Sequence, residues 1–345
     1  MDPLVPDNPP EHPSTSLFHA AKLGQQDLVL TLLQQDVKPR SSHQYEEKRH
    51  TALTIACDEG HEGIVKLLLD HKANPNAKNN DDDCSPLFWA AGRGHAGIVT
   101  LFLEAGAEPN GDEENGRLTP LAVAEVRGHE DAVWALLDLG GEALDIDCKC
   151  RANGRTVLSH SAEDGQGLIV KRLIEKGAEV EQRDVLGKTP LSWAAQRGRV
   201  GTARLLLVVG ADQDSVDVKY CESPGGRMPL IYAADVGHED VISLLQSGAN
   251  PDLCDGGNWS PLGRAVLKGH VGLVRFLLED GGADVEVGRI FGKSLVKSAE
   301  EQVWGPETER KSGYGEIVEL LKRRSRKEEP EEGSGFLGRF YALWR

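Results

Sequence analysis

Aromatic residues are scarce, at 5% of 345, which argues against a broad ring-filled core and for close packing of short helices through small side chains. Basic residues are outnumbered: 39 Lys and Arg stand against 55 Asp and Glu, a formal charge of −16. That sign repels a phosphate backbone, so nucleic acid is not an expected partner. No stretch reaches the roughly 18 to 20 apolar residues of a membrane span, and the opening MDPLVPDNPPEHPSTS lacks the basic and apolar regions of a secretion signal. A cytoplasmic location is expected. Cysteine is sparse and scattered, at Cys57, Cys84, Cys148, Cys150, Cys221 and Cys254, a pattern of reduced thiols and not of a disulfide framework. The close pair Cys148 and Cys150 has no second ligand pair and falls short of the four ligands zinc takes. No His-Glu-x-x-His or Gly-x-Ser-x-Gly arrangement is present, so no catalytic residue, cofactor or metal is expected.

What the chain does have is a repeated phrase. Leu17-Phe-His-Ala-Ala, Leu53-Thr-Ile-Ala-Cys, Leu87-Phe-Trp-Ala-Ala and Leu191-Ser-Trp-Ala-Ala are its clearest copies, and Leu121, Leu158, Leu230, Leu262 and Leu295 begin further ones. Successive anchor leucines are 36, 34, 34, 37, 33, 39, 32 and 33 residues apart, the period of a repeat array. Seven residues after the anchor comes a glycine, at Gly24, Gly60, Gly94, Gly128, Gly165, Gly198, Gly237 and Gly269; fifteen after it comes an apolar residue, at Leu32, Leu68, Phe102, Leu136, Leu173, Leu206, Leu245 and Leu277. Each unit therefore reads as a short helix, a glycine turn and a longer helix. Gly-Ala turns such as Gly106-Ala107 and Gly210-Ala211 then lead to the next unit.

This pattern resembles the ankyrin repeat, most fully over Asp184 to Ala211. The resemblance implies an all-α ankyrin-repeat solenoid of about nine units with finger loops between helix pairs, the last unit degenerate. It implies a non-catalytic scaffold gripping a protein partner on its concave face. The expected organisation is a flexible segment at 1–15, the array at 16–324, and a charged linker with an aromatic tail at 325–345, the whole a monomer. One departure stands out: the family's histidine directly after the anchor leucine is absent, replaced for instance by Thr54, Phe88, Ser159, Ser192 and Ile231. Loss of its hydrogen bonds predicts looser finger bases. The last unit differs too, with 25 residues from Leu295 to Leu320.

Stacked units bury one stripe against their neighbours and leave other positions free to vary. Five and six residues after the anchor stand Asp58 and Glu59, Gly92 and Arg93, Val126 and Arg127, Gln196 and Arg197; Arg93, Arg127 and Arg197 are candidate partner contacts. Two residues after the anchor come Trp89, Trp193 and Tyr232, and Trp259 lies in a finger. Large aromatics beside a groove are typical binding anchors, although packing between repeats is the plainer reading of the first three. Acidic fingers at Asp81 to Asp83 and Asp112 to Glu114 are open to two readings, steering of a basic peptide or simple solvation.

Gly288 to Ser294 imitates a phosphate-binding loop, but its glycines are one residue too close, and Gly187-Lys188-Thr189 repeats the ending in another finger. Asp212, Asp214 and Asp217 imitate a calcium loop that lacks the required glycine and glutamate. The recurring Gly-His histidines read as turn-stabilising. The basic run Lys322 to Lys327 complements a helix end or serves nuclear import, leaving the nucleus open as a second compartment. Phe336, Phe340 and Trp344 fall on one helical face. Phe336, Phe340 and Trp344 could fold back on the array, contact a membrane surface, or bind a partner and recruit effector machinery, the alternative being an adaptor; an enzyme or regulatory subunit with an unrecognised site is the remaining class.

Overall fold

The computed structural model describes residues 13–37, 42–45, 48–78, 84–111, 118–217, 226–246, 248–303 and 311–328. The acidic fingers at 81–83 and 112–114 and the tail aromatics Phe336, Phe340 and Trp344 lie outside the described residues. The chain divides into two units, Met1–Ser161 with Gln166–Val185, and Ala162–Gly165 with Leu186–Arg345.

The first unit runs α1 (Pro13–Lys22), α2 (Gln26–Gln34), β1 (Ser42–Tyr45), β2 (Lys48–Thr51), α3 (Ala52–Glu59), α4 (Glu62–Asp70), α5 (Pro86–Arg93), α6 (Ala96–Glu104), α7 (Pro120–Val126) and α8 (Glu130–Leu139), followed by α9 (Val157–Asp164), whose last residues fall in the second unit, and α10 (Gly167–Glu175). First helices pack in series, α1 on α3, α3 on α5 and α5 on α7; second helices do the same from α2 through α4, α6 and α8 to α10. The hairpin of β1 and β2, with Ser42 opposite Thr51, is the one departure from an all-α fold among the described residues.

The second unit continues with α11 (Pro190–Gln196), α12 (Val200–Val208), α13 (Pro229–Val236), α14 (Glu239–Leu245), α15 (Pro261–Lys268), α16 (Val271–Glu279), α17 (Leu295–Val303) and α18 (Lys311–Glu328). Here α11, α13, α15 and α17 pack in series, α12 lies on α14, and α16 lies on α18.

All nine anchor leucines are buried, as is the apolar position fifteen residues on in the first eight repeats. Each such side chain contributes about 1.5–3 kcal/mol on leaving water, and a helix pair obtains that burial only from its neighbours. The first helices begin the same way. Ser85, Thr119, Thr189 and Ser260 accept a hydrogen bond from the third helical N–H, with proline in the first turn.

The expected loosening of the finger bases does not follow in three repeats. The hydroxyl that replaces histidine bonds the cap residue instead: Thr54 with Thr51 in a reciprocal capping box, Ser159 with Thr156, and Ser192 with Thr189. A short hydroxyl reaches this partner because the cap lies one turn away on the same helix face.

The glycine turns are left-handed in all eight repeats, with φ between 69° and 93°. A second constraint acts at most of them. A Cβ on Gly60 would meet the ring of His95 at 2.6 Å, on Gly94 that of His129 at 2.6 Å, and on Gly198 that of His238 at 2.6 Å. Each histidine belongs to the following repeat, and four of them bond a first-helix carbonyl of the preceding one: His61 Nε2 to Lys22 O at 3.0 Å, His129 Nε2 to Gly92 O at 3.1 Å, His238 Nε2 to Gln196 O at 3.2 Å and His270 Nε2 to Asp235 O at 3.4 Å. The repeated histidines thus pin neighbouring turns. In the last repeat Tyr314 takes this role: its hydroxyl donates to Leu267 O at 2.7 Å and its ring lies 3.3 Å from the Cβ position of Gly269. The buried leucine of that repeat is accordingly Leu321 and not Leu320, which is half-exposed.

Candidate functional site

Two ladders tie the repeats together and set the side chains that remain. The first runs through the fingers. Asn76 Oδ1 accepts from Glu108 N at 2.9 Å, Asn110 Oδ1 from Asp145 N at 2.8 Å, and Asp147 from Glu179 N at 3.1 Å. In the second unit Asp214 Oδ1 accepts from Asn250 N at 3.2 Å and Asp252 Oδ1 from Asp284 N at 2.9 Å. Asp212, Asp214 and Asp217 of the imitation calcium loop are therefore finger-turn acceptors: Asp212 caps Asp214 N and Asp217 Oδ1 accepts from Arg227 N. Among the described residues no group of three His, Cys, Asp or Glu could hold a metal ion.

The second ladder uses the variable positions. Arg93 forks onto Asp58 of the preceding repeat through Nε and Nη2, at 2.6 and 3.1 Å. Arg127 Nη1 donates to Gly92 O at 2.8 Å, which buries Gly92 in place of the exposed position expected there. Arg197 puts Nε and Nη2 on Glu163 Oε1. These three arginines brace one repeat against the last, yet the Arg93 and Arg197 side chains keep about half their surface, 51% and 57%.

Of the aromatic candidates, Trp89 is half-buried on α5 in the first unit. The second unit brings the others together. Trp193 is half-buried on α11 and Tyr232 buried on α13. Between their rings sits the buried ammonium of Lys188, 4.0 Å from one centroid and 4.2 Å from the other, with Nζ donating to Gln196 Oε1 at 2.6 Å. Tyr232 donates its hydroxyl to Asp217 Oδ2. Half-buried Trp259 lies under the Arg264 guanidinium at 4.7 Å and meets Phe291 edge-on, ring centroids 5.4 Å apart.

Lys188, Arg227, Asp255, Arg264 and Phe291, none of them a candidate contact in the sequence, adjoin Tyr232 and Trp259. Phe291 is 80% exposed and holds a φ of 50°, an uncommon backbone for a bulky residue. Its finger is the imitation phosphate loop, whose Lys293 is held by Glu301 in the way Lys188 is held by Gln196, each reaching eight residues forward. Arg264 occupies the place, two residues after the anchor, that Trp193 and Tyr232 fill earlier; that register was the available signal.

Helix pairs stacked through a buried leucine frame, with one side of fingers and short helices left variable, define a repeat-built interaction module. The chain belongs to the ankyrin-repeat family: the model for ankyrin repeats (three copies) matches residues 4–79, 76–147, 141–217 and 215–288. It is similar to Ankyrin repeat domain-containing protein 63 of Homo sapiens, 35% identical over 141 residues, 37% of this chain and 35% of that protein. It is 30% identical over 160 residues to Ankyrin repeat and KH domain-containing protein mask-1 of Caenorhabditis elegans, covering 36% of this chain and 6% of that protein. Palmitoyltransferase AKR1 of Lachancea kluyveri is 30% identical over 182 residues, 52% of this chain and 25% of that protein. The chain thus spans about a third or less of each relative's length. Ankyrin repeats are non-catalytic in themselves, and it is this repeat region that the palmitoyltransferase shares. No helix among the described residues is long and apolar enough to cross a membrane.

Proposed function

We propose that the chain is a non-catalytic scaffold that holds a protein partner on the side formed by its fingers and first helices. The observation that carries this reading is the pair Trp259 and Phe291: an exposed aromatic at left-handed φ, edge-on to a second ring beside a polar cavity. An exposed ring costs solubility and contributes little to packing, whereas at an interface it is the commonest kind of anchor. Tyr232 lines the same cavity as Trp259, Trp193 joins Tyr232 through Lys188, and Arg197, Trp89, Arg93 and Arg127 are further candidate contacts. The array is assigned to residues 16–324. Acyl transfer, the activity in the name of the palmitoyltransferase, is not carried over, because what is shared is repeat sequence.

The test is quantitative affinity capture with the intact chain and with a Trp259→Ala, Phe291→Ala variant. Both changed side chains reach solvent, so the circular-dichroism spectrum should be unchanged while specific partners are lost. Equal recovery of every partner by the two proteins would remove the assignment of this face.

A further inference from the structure

A cavity of about 320 Å³ opens between the fingers and first helices of the second unit, lined among others by Lys188, Asp217, Arg227, Tyr232, Asp255 and Arg264. Its two carboxylates are already supplied with donors. Asp255 Oδ1 accepts from the backbone N–H groups of Gly257 and Trp259 at 3.0 and 2.9 Å, and Oδ2 from Arg264 Nη2 at 2.6 Å. Asp217 takes Arg227 N on Oδ1 and the Tyr232 hydroxyl on Oδ2.

Two of the cations, Arg227 and Arg264, are not matched in the same way. Among the described residues the Arg227 guanidinium comes no nearer to a carboxylate than 3.8 Å, at Asp255, and keeps 37% of its side-chain surface. Arg264 reaches Asp235 only at 3.6 Å, and its Nε has no acceptor within hydrogen-bond distance. The lining carries three cations and two carboxylates, and Asp235 with Lys268, 3.9 Å apart, adjoins Arg264, so among these described residues four cations stand against three carboxylates in a chain of net charge −16. Over a screening length of about 8 Å at physiological salt, the local excess of positive charge decides what enters.

The geometry points to this cavity as the seat for an acidic side chain of the protein partner, an inference that rests on the proposed partner-binding face. A carboxylate is acceptor-only, presents two oxygens and matches a guanidinium fork. The cavity lies at the small end of ligand sites, which run from about 300 to 1,000 Å³, and suits one side chain. Trp259 lines it and Phe291 meets Trp259 edge-on, so an apolar residue following the acid would lie on the aromatic pair. A free carboxylate would lack that second contact, and a peptide supplies both.

The experiment is isothermal titration of the full chain, at fixed ionic strength, with the blocked peptide acetyl-Ala-Glu-Leu-Phe-Ala-amide, with its Gln counterpart, and with glutarate. The Glu peptide should bind at least about tenfold more tightly than the Gln peptide, the scale of one charge-assisted pair, and more tightly than glutarate. Arg227→Gln should abolish the Glu preference, bringing the Glu and Gln peptides to the same affinity. Among the described residues that variant gives up an ion pair of 3.8 Å to Asp255 and a contact of 5.7 Å with the Tyr232 ring, and an unaltered melting curve will establish its fold. Loss of the carboxylate preference in the intact chain, its persistence in Arg227→Gln, glutarate binding as tightly as the Glu peptide, or no saturation by the Glu peptide would each overturn the inference. Equal binding of the Glu and Gln peptides would leave the aromatic face standing, since its own capture test depends on Trp259 and Phe291 and not on charge.

Discussion

Replacing Gly94 by alanine should damage the fold more than replacing Gly128, although both glycines occupy the same place in neighbouring repeats. Gly94 holds φ 78° and Gly128 φ 75°, so each alanine bears the left-handed penalty of about 1–2 kcal/mol. At Gly128 nothing lies within 4 Å of the new Cβ, because the next repeat has Gln166 where others have histidine, and the penalty ends there. At Gly94 the Cβ would stand 2.6 Å from His129 Nδ1 and 2.8 Å from Cγ. The ring must move, and its bond from Nε2 to Gly92 O, 3.1 Å long, is lost for about another 0.5–1.5 kcal/mol. Urea unfolding should therefore place Gly94→Ala about 1.5–3.5 kcal/mol below the parent and Gly128→Ala about 1–2 kcal/mol below, with unchanged slopes. Adding His129→Ala to Gly94→Ala should remove the excess, so that alanine at 94 then costs what it costs at 128. Coincident midpoints for the two single variants, or an excess that survives without the histidine, would refute the double constraint.

Two further expectations concern the finger ladder and the last repeat. Burial pushes the Asp147 carboxyl above the ordinary carboxylate range, with Glu179 and Asp145 adding to the rise and the Glu179 N–H bond and Lys149 opposing it. The folded state thus holds that proton more tightly than the unfolded chain, and stability falls as pH rises through the raised value. Asp147→Asn keeps an acceptor for Glu179 N, as Asn76 and Asn110 do for their own neighbours, so it should raise the melting temperature near about pH 7 and have little effect near about pH 3; a change independent of pH would contradict this. Tyr314→Phe should lose only the bond to Leu267 O, about 0.5–1.5 kcal/mol, whereas Tyr314→Ala also empties the site over Gly269 and should cost about 3–5 kcal/mol. Hydrogen exchange in α18 would report it, and equal protection in both variants would deny Tyr314 the pinning role.

The repeat, the helix pairs and their turns were legible in residue order because each is a local matter. A left-handed glycine, a cap hydroxyl and an apolar stripe act within a turn or two of chain, and their recurrence every 32 to 39 residues leaves little freedom in reading them. The absence of a histidine after the anchor was legible too, but not its consequence, since whether Thr54, Ser159 or Ser192 reaches its cap is a question of side-chain geometry. Tertiary structure alone decided which variable residues are free. Arg93, Arg127 and Arg197 look alike in the sequence, and only the stacked repeats attach each to the one before. Lys188, Arg227, Asp255 and Arg264 come from three fingers and a helix and carry no motif between them; they meet because stacking brings residues one or two periods apart side by side. Local chemistry writes the frame, and the face is written by contacts between residues that the chain itself keeps far apart.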